Sequence, residues 1–226
     1  MHAPGTSPWV SLLVLGFAVF VLFRKKSDPE EIRRRDLRVL ARKLQLQYDP
    51  QTDYKLAEDF SFLSWLRRGD CRYGYNVFRG SYGGYLVTVF DYHFATPGGR
   101  GGPLDYYWSA GVVHLGANFP DLIISPETRE SRFAEMLGAP HITFESAEFS
   151  RAFRVGCSDK KFAYEFCHPQ MMEYLMANRD LNVEISRNGL ALLFEDWLRP
   201  EKVEANLSRL IALRKLLPEH FFSSHK

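Results

Sequence analysis

The feature that most constrains this chain is a charge-free apolar stretch at its start. Residues 3–23 contain no Asp, Glu, Lys or Arg, and residues 9–23 are almost entirely apolar. A helix that crosses a bilayer takes about 20 predominantly apolar residues. Residues 9–23 alone are too short, so a crossing draws in residues 4–8 or lets Arg24, Lys25 and Lys26 reach back to the headgroups. Trp9 stands where an interfacial aromatic belongs. Two other readings compete. A secretory signal peptide wants a positive start and small residues at its cleavage site. Here no Lys or Arg precedes the apolar run, and Val21-Leu22-Phe23-Arg24-Lys25 offers no small pair. A buried core helix would not be uncharged on every face and then run straight into Arg-Lys-Lys. The expectation is an uncleaved anchor, helical over about residues 5–23, with the lipid bilayer as its partner.

Lys and Arg close to a membrane stay on the cytoplasmic side. None precedes the apolar run, whereas residues 24–43 hold nine basic against four acidic residues. This predicts a single-pass protein of the inner (plasma) membrane, N-terminus out. Residues 1–26 form the anchor and its basic flank, and residues 27–226 a soluble cytosolic domain. The local excess of positive charge either attracts anionic lipid headgroups or is a positive-inside flank continuing into a solvated helix face; the second reading is preferred. Cys71, Cys157 and Cys167 are odd in number and follow no framework spacing, which fits a reducing compartment.

Hydrophobic residues make up 46 % of the chain and aromatics 15 %, with 18 Phe and 11 Tyr. That excludes disorder and favours antiparallel sheet over a helical bundle. A net charge of +2 supplies no field for nucleic acid, and no such partner is expected.

Ser27-Asp28-Pro29-Glu30-Glu31 is a helix start, with a cap, a first-turn proline and acids at the positive dipole end. The helix runs to about residue 46 and places Leu37, Leu40 and Leu44 on one face. A second helix is expected over residues 56–68. Strands follow at 72–79 and 85–94 around the turn cluster 80–84, then at 106–115 and 121–125 beyond a Gly/Pro-rich break. Helix 129–137, strands 141–144 and 152–157, and helices 160–167 and 169–177 come next. Asn188-Gly189 is the strongest local turn signal and predicts a hairpin with Ile185 opposite Leu192 and Val183 opposite Phe194. Its register puts Leu181, Val183, Ile185, Leu190, Leu192 and Phe194 on one face and Glu184, Ser186 and Glu195 on the other. A last helix starts at Pro200, carries Val203, Leu207, Leu210 and Leu217, and stops at Pro218. The order of elements predicts an α+β fold: an N-terminal transmembrane helix followed by a soluble domain of antiparallel sheet, in hairpins and meanders, packed with helices. One fold, or two sub-domains dividing near residue 127, are both compatible with the pattern.

Chemistry is harder to find. The glycines at 98–102 sit between two strands with Arg100 alone, which suits a hairpin tip better than a phosphate cradle. Cys157, Cys167 and His168 lack the close pair spacing of structural zinc, so no metal or cofactor is expected. Asp91 and His93 share one face of their strand, and a carboxylate beside an imidazole can orient a general base. No nucleophile signature completes them, and a cross-strand contact of His93 with Trp108, in a hairpin centred on Arg100-Gly101, is the preferred reading. Phe144-Glu145-Ser146-Ala147-Glu148-Phe149 and Ser158-Asp159-Lys160-Lys161-Phe162-Ala163-Tyr164 crowd polar and aromatic residues in the manner of helix caps beside a core.

Phe78-Arg79-Gly80-Ser81-Tyr82, Phe90-Asp91-Tyr92-His93, the segment 144–149, Asp159-Lys160-Lys161-Phe162-Ala163-Tyr164 and His168-Pro169-Gln170-Met171-Met172-Glu173-Tyr174-Leu175 all follow an N-terminal anchor. Together they resemble a group of uncharacterised bacterial membrane-anchored proteins with a domain of unknown function. The resemblance implies a bacterial source and membrane placement, and brings no activity, cofactor or catalytic residue. The function expected is a non-enzymatic interaction or scaffold role with a protein partner. The alternatives are an enzyme or small-ligand binder, with Asp91 and His93 as candidates, and a sensor of anionic lipid surfaces.

Overall fold

A computed structural model describes residues 28–99, 101–127 and 141–224. The expected anchor, Arg24, Lys25, Lys26 and the helix expected at 129–137 lie outside the described residues. Among those described, no helix is long and apolar enough to cross a membrane.

Helix α1 (Pro29–Lys43) starts as its sequence demands. The Asp28 carboxylate accepts the Glu30 N–H at 3.0 Å, Pro29 fills the first turn, Glu30 and Glu31 face the positive end of the dipole, and Arg42 and Lys43 face the negative end. Leu37 and Ala41 are buried beneath it.

The sheet has six strands, all paired antiparallel: β1 (Gln47–Asp49), β2 (Asp70–Tyr82), β3 (Tyr85–Thr96), β4 (Leu104–Pro126), β5 (Phe153–Cys157) and β6 (Asn182–Phe194). Their order is β1-β2-β3-β4-β5, with β6 also on β4. Residues 109–113 of β4 pair with β3 and β6 at once, and residues 122–124 pair with β5 and β6. A strand has two edges, so β3 and β5 share one edge of β4 and β6 runs along the other. Strands from both sides of residue 127 thus join one sheet. The expected α+β architecture, antiparallel sheet packed with helices, is what the chain adopts.

Several local expectations are corrected. The strands expected at 106–115 and 121–125 are one 23-residue strand. Gly116, at φ +71°, sits at an irregularity between His114 and Phe119 that leaves the two segments in one strand. Asn188-Gly189 makes no hairpin, because residues 182–194 run through as β6. Ile185 pairs with Leu122 and Leu192 with Gly111, and Arg187, at φ +47°, takes up the register shift. Leu181, Val183, Ile185, Leu190 and Leu192 still share a face, since an irregularity changes parity as a turn would. Gly189 is needed for space: a Cβ there would lie 2.8 Å from Phe62 Cε2. In the β3–β4 hairpin His93 pairs with Tyr107 and Trp108 with Tyr92, one residue off the expected register. The expected helix 56–68 divides into α2 (Tyr54–Asp59) and a 3-10 turn (Ser64–Arg67), and the strand at 141–144 reduces to a bridge between His141 and Gly156.

Helices cover one face of the sheet: α1, α3 (Ala147–Ala152), α4 (Lys160–Phe166), α5 (Pro169–Ala177), α6 (Pro200–Leu216) and α7 (His220–Ser224). They pack on Phe78, Val89, Val113, Leu122, Val155 and Val183. On the other face Leu56, Phe60, Leu63, Trp65 and Leu66 cover Phe90, Tyr92, Phe94, Trp108 and Val112.

Candidate functional site

Asp91 and His93 do share a face of β3, but among the described residues they share no hydrogen bond. Asp91 is fully buried. Its Oδ2 accepts Arg33 Nη1 at 2.7 Å and Asn76 Nδ2 at 2.8 Å, and its Oδ1 accepts the Leu198 N–H at 2.5 Å. Asn76 reaches it because a bulge in β2 puts that residue at φ +49°, a conformation Asn tolerates well. Glu30 holds Arg33 from the other side through two bonds of 2.9 and 3.0 Å. Burial works against the Arg33 charge, but Glu30 and Asp91 outweigh it and raise the guanidinium above its ordinary value. Burial likewise pushes the Asp91 carboxyl up, while Arg33, Asn76 and the Leu198 N–H pull it down. Every contact of Asp91 is with a positioned donor of the fold. The group fastens α1 to the middle of the sheet and to the loop after β6.

His93 is almost enclosed. Its ring stacks on Tyr73 at 4.5 Å and lies 5.0 Å from Tyr107. Nδ1 faces the Cys71 carbonyl at 3.1 Å and Nε2 faces Asp105 at 2.9 Å. The preferred cross-strand aromatic contact is present, with Tyr107 in place of Trp108. Arg100 lies outside the described residues, and its glycine neighbours close the β3–β4 hairpin. Cys157 donates to the Asp159 carbonyl, His168 Nε2 bonds the Leu216 carbonyl at 2.9 Å, and burial pushes the Cys167 thiol up. Among the described residues no three His, Cys, Asp or Glu side chains are grouped to hold a metal.

The three segments 144–149, 159–164 and 168–175 converge. Ser146 and Asp159 cap α3 and α4, as expected of capping residues. Between α3, α4 and α5 they enclose a groove of about 710 Å³. Phe144, Phe149, Tyr164, Met172 and Met176 form its walls, and Glu145, Glu148 and Glu173 stand around it. Phe144 meets both Phe149 and Tyr164 edge-on, with ring centroids 5.4 and 5.3 Å apart. Arg179 neutralises Glu148 at 2.9 Å, leaving Glu145 and Glu173 as an acidic rim. Methionine thioethers are flexible and polarisable and mould to apolar surfaces of varied shape. Sequence reasoning missed the groove as a whole. Its one local signal is Met172 and Met176, four apart on the same side of α5.

A third polar group is buried where sequence reasoning marked only a face. Glu184, 1 % exposed, accepts the Ser64 N–H at 2.7 Å through Oε1. Among the described residues its Oε2 and both amide atoms of Asn182 have no partner. Burial pushes the Glu184 carboxyl up to about 8, against the pull of Ser64. Next to it Ser186 Oγ donates to Asp121 at 2.5 Å.

Comparison with protein-family models and with curated proteins gives no match. Among solved structures the chain is similar to the mycobacterial trehalose monomycolate transport factor A, TtfA. The TM-score is 0.59 and the identity 12 %, and the match covers 82 % of this chain and 96 % of that one. At that identity the likeness is one of fold.

Proposed function

We propose that this chain is a single-pass protein of the bacterial inner membrane whose cytosolic α+β domain is a non-enzymatic interaction module. The observation that carries the reading is the groove between α3, α4 and α5: apolar and methionine-lined within, acidic at the rim. Such a groove complements an apolar segment flanked by Lys or Arg. Segments of that kind are abundant at the cytosolic ends of membrane proteins, where basic residues collect. A domain held at the membrane by residues 5–23 meets them at high local concentration. The groove's volume also suits a small apolar ligand, which is the second reading.

The test is a photo-crosslinking residue at Tyr164 in the full-length chain in native membranes. The proposal expects a crosslink to a membrane protein that disappears in Met172→Glu. A crosslink that survives Met172→Glu, or one to a small apolar molecule alone, overturns it.

A further inference from the structure

The row of β-sheet residues beyond the start of α1 is aromatic, and its Tyr107 end is exposed. Tyr73, His93 and Tyr107 lie side by side across β2, β3 and β4. Tyr54 packs on Tyr73 with ring centroids 5.7 Å apart. Trp197 joins from the loop after β6, its ring 5.8 Å from the Arg33 guanidinium. Tyr54, Tyr107 and Trp197 are 66 %, 44 % and 50 % exposed, unusual for side chains of this size. Tyr107 and Trp197, with Tyr73, Tyr75 and Arg34, bound a shallow depression of about 280 Å³ against the first turns of α1.

Charge is not what this surface offers. Glu30 pairs with both Arg33 and Arg34, and Asp91 pairs with Arg33. What remains is a set of amphipathic rings, apolar in body and polar at the edge, the composition of an aromatic belt at a membrane interface.

The position of the patch selects its occupant. Only residues 24–28 separate the apolar segment from α1, and five residues span at most about 18 Å. The buried contact of Arg33 with Asp91 fixes α1 to the sheet, so the patch cannot swing away from the point where the chain enters the domain. We infer that Tyr54, Tyr73, Tyr75, Tyr107 and Trp197 rest in the headgroup layer of the bilayer and set the orientation of the whole domain on it. This rests on the membrane-tethered reading above.

The experiment uses the full chain reconstituted in phosphatidylethanolamine/phosphatidylglycerol vesicles containing a lipid with a nitroxide close to the headgroup. Two variants are compared. Trp9→Phe leaves Trp197 as the reporter of the patch, and Trp197→Phe leaves Trp9 as the reporter of the tether. Trp65 and Trp108, buried in the core, contribute the same background to both. The inference expects quenching in both variants. It also expects the quenching of Trp197 to persist in about 0.5 M salt, where charges are screened beyond roughly 4 Å. Quenching of Trp9 without quenching of Trp197 overturns the docked orientation and leaves the tether standing. Quenching of neither overturns both. Loss of Trp197 quenching in high salt overturns the aromatic origin of the contact.

Discussion

Replacing Glu184 by Gln should stabilise this domain, and should do so only at neutral and alkaline pH. In the unfolded chain the carboxyl titrates near its ordinary 4.5, whereas in the folded chain burial raises it to about 8. Between those values the folded state holds a proton that the unfolded state has released, so stability falls as pH rises. The contribution is whole below the unfolded value and is gone once the folded value has been passed. The interval is about 3.5 pH units at ~1.4 kcal/mol each, which sums to ~5 kcal/mol. A typical domain has roughly 5–15 kcal/mol in total, so this one group decides a large share of alkaline stability. Gln keeps the volume and the acceptor for the Ser64 N–H, and it removes the titration. Urea unfolding of the full chain in mild detergent, followed by the fluorescence of the buried Trp65 and Trp108, measures both proteins from about pH 5 to pH 9. Their stabilities should diverge by about 1 kcal/mol per unit between about pH 5 and pH 7, and run parallel again above the folded value. Parallel pH profiles would refute the reasoning, because they require a carboxylate already ionised in the folded state.

Two further substitutions test the packing. Asp91→Ala strands the buried guanidinium of Arg33, the Asn76 amide and the Leu198 N–H, and should cost about 3–5 kcal/mol in the same urea assay. A loss below about 1 kcal/mol, the range of exposed pairs, would mean that α1 is not fastened there. Gly189→Ala pushes a methyl onto Phe62 and should cost about 1–3 kcal/mol. Phe62→Leu in the same chain should restore part of that loss, and strict additivity of the two changes would show that they do not touch.

Local chemistry made some of the fold legible. Asp28-Pro29-Glu30-Glu31 fixed the start of α1, Gly83-Gly84 fixed the β2–β3 turn, and Pro200 and Pro218 bracketed the last long helix. The failures have one physical cause. Asn188-Gly189 is turn chemistry, yet pairing of β4 with β6 along both their lengths holds it within a strand. That pairing links positions some 70 residues apart, and no local window contains it. The site divides in the same way. Asp91 stood out by residue type, but its partners Arg33 and Leu198 lie 58 and 107 residues away in sequence. Segments 144–149 and 159–164 drew notice as caps beside a core. Their meeting in one groove depends on how α3, α4 and α5 sit against β5, which spacing does not encode.

The long fourth strand has a consequence for how the protein is made. Its partners on one edge, β3 and β5, leave the ribosome close to it in time. The strand that covers its opposite edge begins only at Asn182. Until that residue has emerged, a nascent chain displays a row of open amides and carbonyls on β4. Open edges of this kind invite pairing with other chains. Translation that stalls before residue 182 should therefore leave a product inclined to aggregate.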